Sequence, residues 1–115
     1  MNNELEKSKS HILIEIIEYA SNSVVTKTII RKTTGNVSVV ASDIGETLAE
    51  KISPFDTFVQ VIDGEAEVVI NHIPNVINTG QGIVIPAHTS NSIRANKRFK
   101  MIATVIKSGY EEIEI

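Results

Sequence analysis

Residues 53–70 read SPFDTFVQVIDGEAEVVI, and residues 80–95 read GQGIVIPAHTSNSIRA. In the first stretch Thr57, Val59 and Val61 alternate with Phe58, Gln60 and Ile62, the period-2 pattern of a strand with two different faces. Asp63-Gly64-Glu65 interrupts that alternation. Asp-Gly suits the positive φ angles of a tight hairpin, so a turn is predicted there. Beyond it Ala66, Val68 and Ile70 alternate with Glu65, Glu67 and Val69, as in a returning strand. In the second stretch Thr79-Gly80-Gln81-Gly82 precedes the apolar run Ile83–Ile85. Pro86 ends that run, because a proline has no N–H to give to a ladder.

The same grammar extends outward in both directions. VVTKTII from Val24 and VSVVASDI from Val37 flank Thr33-Thr34-Gly35-Asn36, a hairpin-type turn, and Gly45 closes the pair. Asn71 to Pro74 turns again, and Asn75–Asn78 returns. Ser92–Ala95 and Phe99–Ile106 are predicted strands joined by the charged turn Asn96-Lys97-Arg98. The tail Glu111–Ile115 carries the alternation of an edge strand. Residues 1–10 read as a solvated arm, and 11–20, HILIEIIEYA, place Ile12, Ile16 and Tyr19 at the spacing of a short helix or turn. Short strands at near-regular intervals, with Gly or Asn between them, indicate a sandwich or barrel rather than a βαβ fold. The expected organisation is an arm with a helix or turn over 1–20, a β-barrel over 21–108 and a tail over 109–115.

Composition sets further bounds. With 115 residues, 42% hydrophobic and 22% charged, the chain has the size and balance of one globular domain. Val and Ile dominate the apolar set and there is no Trp, which favours strands. The absence of Cys excludes disulfides, thiolate metal sites and cysteine nucleophiles. A formal charge of −3 without a Lys/Arg block gives nucleic-acid binding little electrostatic support. The start MNNELEKSKS is polar and Glu15 breaks the apolar run Ile12–Ile17, so neither a signal peptide nor a membrane span is read there. A cytoplasmic protein is expected. No phosphate loop, nucleophile elbow or His-Glu-x-x-His helix is present.

Two glycine-anchored spacings carry a family resemblance. The first runs Gly45, five residues, Lys51, Ile52, Ser53, three residues, Thr57, six residues, Gly64; the second runs Gly80, five residues, Pro86, Ala87, His88, two residues, Asn91. From Val24 to Ile106 the chain resembles a small single-domain member of the cupin superfamily. The resemblance implies an all-β, double-stranded β-helix (jelly-roll) barrel. The family's pattern has His, His and Glu at the positions of Lys51, Ser53 and Thr57, and a third His at Asn91, so the metal-ligand positions of this chain are degenerate.

The substitutions have chemical consequences. A protonated Lys has no lone pair to donate and repels a cation, and neutral hydroxyl and amide oxygens bind first-row metals weakly. No metal and no other cofactor is therefore expected. Asp56 and His88 are accessory candidates for a sparse site, although transition-metal sites ordinarily need three or more placed ligands. The simpler assignment makes His88 a partly exposed loop residue and gives Asp56 the capping of the Ser53–Asp56 turn. His11 and His72 read as solvated surface residues.

Lys51, Ser53, Thr57, Gln60 and Asn91 are the candidate cavity lining. Such a set orients a small ligand by hydrogen bonds within an apolar pocket, and Lys51 offers a cation to a carboxylate or phosphate. The alternative for Lys51 is a stem packed along the barrel with its ammonium in water. Met101, Phe55 and Phe58 read as core or pocket wall. The first reading of function is a non-catalytic, metal-free barrel that binds a small molecule. The alternatives are a cupin enzyme of isomerase or dioxygenase type using Asp56, Gln60, His88 or Lys51, and a structural subunit. A homodimer is expected, because Ile12–Ile17 and the strand around Val24–Ile30 expose apolar surface on a lone barrel.

Overall fold

The computed structural model describes residues 4–110, so the edge strand expected at Glu111–Ile115 lies outside the described residues. After a single 3-10 turn at Leu13–Glu15, eight strands follow: β1 (Val24–Lys32), β2 (Gly35–Ser42), β3 (Thr47–Ile52), β4 (Asp56–Ile70), β5 (Ile73–Asn78), β6 (Gly82–Ile85), β7 (Ser90–Arg94) and β8 (Phe99–Ile106). One sheet runs β1-β2-β8-β4-β6 and the other β3-β7-β4-β5, with every pairing antiparallel. Strand β4 belongs to both.

That shared strand corrects the hairpin predicted at Asp63-Gly64-Glu65. The chain does not reverse there; it bends from one sheet into the other within a single 15-residue strand. Its first part pairs with β8 and β6, and its second with β5 and β7. The pairing with β8 shifts register between Val61 and Asp63, a bulge that changes which parity faces inward. Val59 and Val61 before it and Ala66 and Val68 after it all join the same buried cluster. Gly64 takes φ +84°, and a Cβ there would overlap the carbonyl oxygen of Arg98 on the adjoining turn. The positive φ read from Asp-Gly is present, but it serves a corner instead of a reversal.

Elsewhere the turns fall where expected. Thr33-Thr34 links β1 to β2, and Asn71 and His72, both at positive φ, close the two-residue β4–β5 hairpin. The main core lies between the sheets, where Phe99, Val59 and Val68 are completely enclosed. Burying each such side chain stabilises the fold by roughly 1.5–3 kcal/mol relative to exposure.

A second core covers the outer face of the first sheet. Ile17 packs there on Val39, Ala41 and Ile102, joined by Ile16 and Tyr19. Strand β2 is therefore buried on both faces over its second half. Polar contacts fasten the same segment: Tyr19 Oη donates to Asp63 Oδ2 at 2.8 Å, and Lys100 Nζ donates to the Ile14 carbonyl at 2.5 Å. The Arg98 guanidinium lies 4.9 Å from the Tyr19 ring centroid and its Nε donates to Asp43 Oδ1 at 2.8 Å. Asp43 also accepts the N–H groups of Asn22 and Ile44. Arg98 and these two amides hold the Asp43 carboxyl at about 2, below its ordinary 3.8. Burial and the Asp63 carboxylate push the Tyr19 phenol upward, with Arg98 opposing. Leu5 N–H reaches the Ile29 carbonyl at 3.1 Å, so part of the solvated arm caps the free edge of β1. No helix among the described residues is long and apolar enough to cross a membrane.

Candidate functional site

The inner faces of the two sheets enclose a cavity of about 320 Å³. Its wall follows strand alternation: β2 contributes Asn36, Ser38 and Val40, β8 Met101, Ala103 and Val105, and β4 Thr57 and Val59. Strand β7 adds Asn91 and Ile93, while β3 and the loop after it add Leu48, Lys51, Ser53 and Phe55. A register shift between Leu48 and Lys51 allows both of these β3 residues to serve one face.

The ladders arrange this wall in rows. Val105 pairs with Asn36 on one side and Thr57 on the other, which gives a row with two polar side chains. The next row is Ser38, Ala103 and Val59, and the third is Val40, Met101 and Val61. In the opposite sheet Asn91 sits between Lys51 and Ile70, and Ile93 between Leu48 and Val68. Polar groups thus gather at one end of the cavity and grade into an apolar floor.

Lys51 is exposed and, among the described residues, is the only charged one on this wall; no described Asp or Glu lines it. Asn91 is 4% exposed, and its Nδ2 makes a long 3.4 Å hydrogen bond to the Lys51 carbonyl, tying β7 to β3. Ser53 Oγ accepts from Phe55 N–H at 3.1 Å, which leaves its O–H free to donate. The side chains of Lys51, Thr57, Asn36 and Ser38 have no hydrogen-bond or ion-pair partner among the described residues.

The structure therefore brings together four of the five predicted lining residues: Lys51, Ser53, Thr57 and Asn91. Gln60 is not among them. Thr57 and Val59 point inward, so the pleat turns Gln60 outward with Phe58, onto a surface groove beside Ile12, Leu13 and Ile14. The two accessory candidates lie off the wall as well. Asp56 Oδ1 accepts Ala87 N–H at 2.8 Å, so it pins the loop after β6; the Ser53 hydroxyl, and not Asp56, caps the local turn. His88 is exposed at φ +63° and its backbone N–H donates to the Ser53 carbonyl at 2.7 Å. Among the described residues no group of three or more His, Asp or Glu converges.

Asn36 and Ser38 were not anticipated as lining residues. Asn36 lies in β2 and not in the turn predicted from Thr33-Thr34-Gly35-Asn36, and it shares its parity with Ser38 and Val40 along GNVSVVAS. Reading that alternation one residue further back would have found both.

Solved structures place this architecture. A conserved protein of unknown function from Streptococcus pyogenes is 26% identical, with a TM-score of 0.87 over 93% of each chain. A cupin 2 conserved barrel domain protein from Leptotrichia buccalis is 27% identical over 82% of this chain and 46% of its own, with a TM-score of 0.79. A cupin superfamily protein from Desulfitobacterium hafniense superposes with a TM-score of 0.84 at 21% identity, covering 93% of this chain and 97% of that one. The chain has the fold of the cupin superfamily. No family model matches its sequence, and neither does any curated protein.

In this cupin fold the positions that the family's motif gives to metal ligands face one cavity, through Lys51, Ser53, Thr57 and Asn91. The donor set does not fit a first-row metal. An ammonium, two hydroxyls and an amide supply no imidazole and no carboxylate, and the ammonium carries the metal's own sign of charge.

Proposed function

We propose that this cupin is a non-catalytic protein that binds a small molecule in its barrel without a metal. One observation carries the reading: side chains with unused hydrogen-bonding capacity form the rim of a cavity whose floor is apolar. A pocket with few polar groups over an apolar surface holds and orients a ligand. The donor set supports the metal-free half of the proposal. Among the described residues no carboxylate, thiol or imidazole faces the cavity from its wall, which leaves Lys51 as the one basic group there.

Native mass spectrometry and metal analysis of protein purified without chelator test this directly. The expected result is a chain carrying well under one equivalent of Fe, Mn, Ni or Zn, with or without a small organic adduct. Stoichiometric metal in the folded protein would sink the proposal.

We further propose a second copy of this chain as partner. Phe58 and Val84 are cross-strand neighbours on the outer face of β4 and β6, 40% and 57% exposed. Ile12, Leu13 and Ile14 extend the same apolar surface, with Ile12 61% exposed. Pairing would remove that surface from water.

A further inference from the structure

We propose that the cavity's ligand is a small organic monoanion, a carboxylate on an apolar body, with its charged end against Lys51. This rests on the binding reading above and narrows it to a chemical class.

Charge decides the sign. Among the described residues Lys51 is the single charged group on the wall, and no described carboxylate pairs with it. A cationic ligand would face an ammonium with nothing to offset it, whereas an anion supplies the missing partner. The rim is also rich in donors: the Ser53 and Thr57 hydroxyls and the Asn91 and Asn36 amides can each donate to an oxygen.

The magnitude of the charge separates carboxylate from phosphate. A phosphate ester carries up to two charges and is ordinarily cradled by several cations or by a nest of backbone N–H groups. The described residues give the wall one ammonium, no arginine and no helix terminus. One cation with neutral donors beside it matches a carboxylate, which carries a single charge and two acceptor oxygens.

Shape sets the remainder of the molecule. From the Lys51–Asn91 and Asn36–Thr57 rows the wall grades to Val40, Val59, Ile93 and Met101, which calls for an apolar body below the charged end. A volume of about 320 Å³ is at the small end of ligand pockets, so the body is short.

Hexanoate, hexanamide and hexylamine are matched probes that differ only in the head group. Titration of each into the full chain, followed by backbone amide NMR shifts, is the test. Hexanoate should move the amides of Ser38, Lys51, Asn91 and Met101 and bind about tenfold more tightly than hexanamide, with hexylamine weakest. Lys51→Gln should abolish the preference of hexanoate over hexanamide, and Lys51→Arg should keep it. Lys51 is exposed, so these variants should fold, and the spectrum itself reports it. Equal affinity for hexanoate and hexanamide, with both shifting cavity amides, would overturn the anion class and leave the binding reading intact. A preference that survives Lys51→Gln would overturn the role of Lys51. If none of the three shifts a cavity amide at millimolar concentration, the binding reading fails and this inference falls with it.

Discussion

Gly64 and Gly45 share nearly the same backbone conformation, at φ +84° and +86°, yet their surroundings differ completely. A Cβ on Gly45 would meet open space, so an alanine there meets only the cost of a left-handed backbone. A Cβ on Gly64 would collide with the Arg98 carbonyl, where β4 changes sheets against the start of β8. Gly45→Ala should therefore lower stability by about 1 kcal/mol and Gly64→Ala by about 3 kcal/mol or more, measured by urea unfolding. Equal losses would show that crowding at the corner does not matter. Residue chemistry was legible at this scale in a specific way. The Asp-Gly pair correctly announced a positive φ, and the side chains at Lys51, Ser53, Thr57 and Asn91 carry their own chemistry, an ammonium, two hydroxyls and an amide, whatever the fold. Neither observation could say what lay across from the glycine, because Arg98 is distant in sequence and adjacent only after folding.

Between strands, the Asp43 carboxylate is the junction that joins the end of β2, the chain entering β1 and the turn before β8. It accepts from Asn22 N–H, Ile44 N–H and Arg98 Nε, contacts that span three separate segments. Because its folded-state pKa is lowered to about 2 from 3.8, its contribution to stability is present above the unfolded value and disappears as pH falls through the folded one. Acid destabilisation from this group should thus appear between about pH 4 and about pH 2. Urea unfolding at about pH 5 and about pH 2.5 should show a smaller pH-dependent loss in Asp43→Asn than in the parent chain. An identical loss in both would assign the acid sensitivity to other carboxylates. The corner within residues 53–70 is likewise a property of elements. The parity change between Val61 and Ala66 was visible, but a hairpin and a bulged corner both produce it, and only pairing with β8 distinguishes them.

For the molecule as a whole, the proposed dimer depends on surface that the described residues leave uncovered. The expectation of an exposed β1 needs adjustment, since Leu5 N–H bonds its edge and Val25 and Ile29 pack into the outer core. The apolar surface around Ile12–Ile14, Phe58 and Val84 remains. Light scattering at micromolar concentration should return about twice the chain mass of 12.6 kDa, and Phe58→Ser should lower it toward one chain. A parent chain that scatters as a monomer would refute the proposal. By itself the sequence determined the strands, most of their turns and the chemical character of the family's ligand positions, because period-2 burial, glycine and proline geometry and the protonation of a lysine are local properties. Only the tertiary structure decided that β4 belongs to two sheets, that Gln60 faces outward while Asn36 and Ser38 face inward, and that a polar rim grades into an apolar floor. Those outcomes depend on which strands pair and in which register, and β8 sets both by inserting between β2 and β4 from far along the chain.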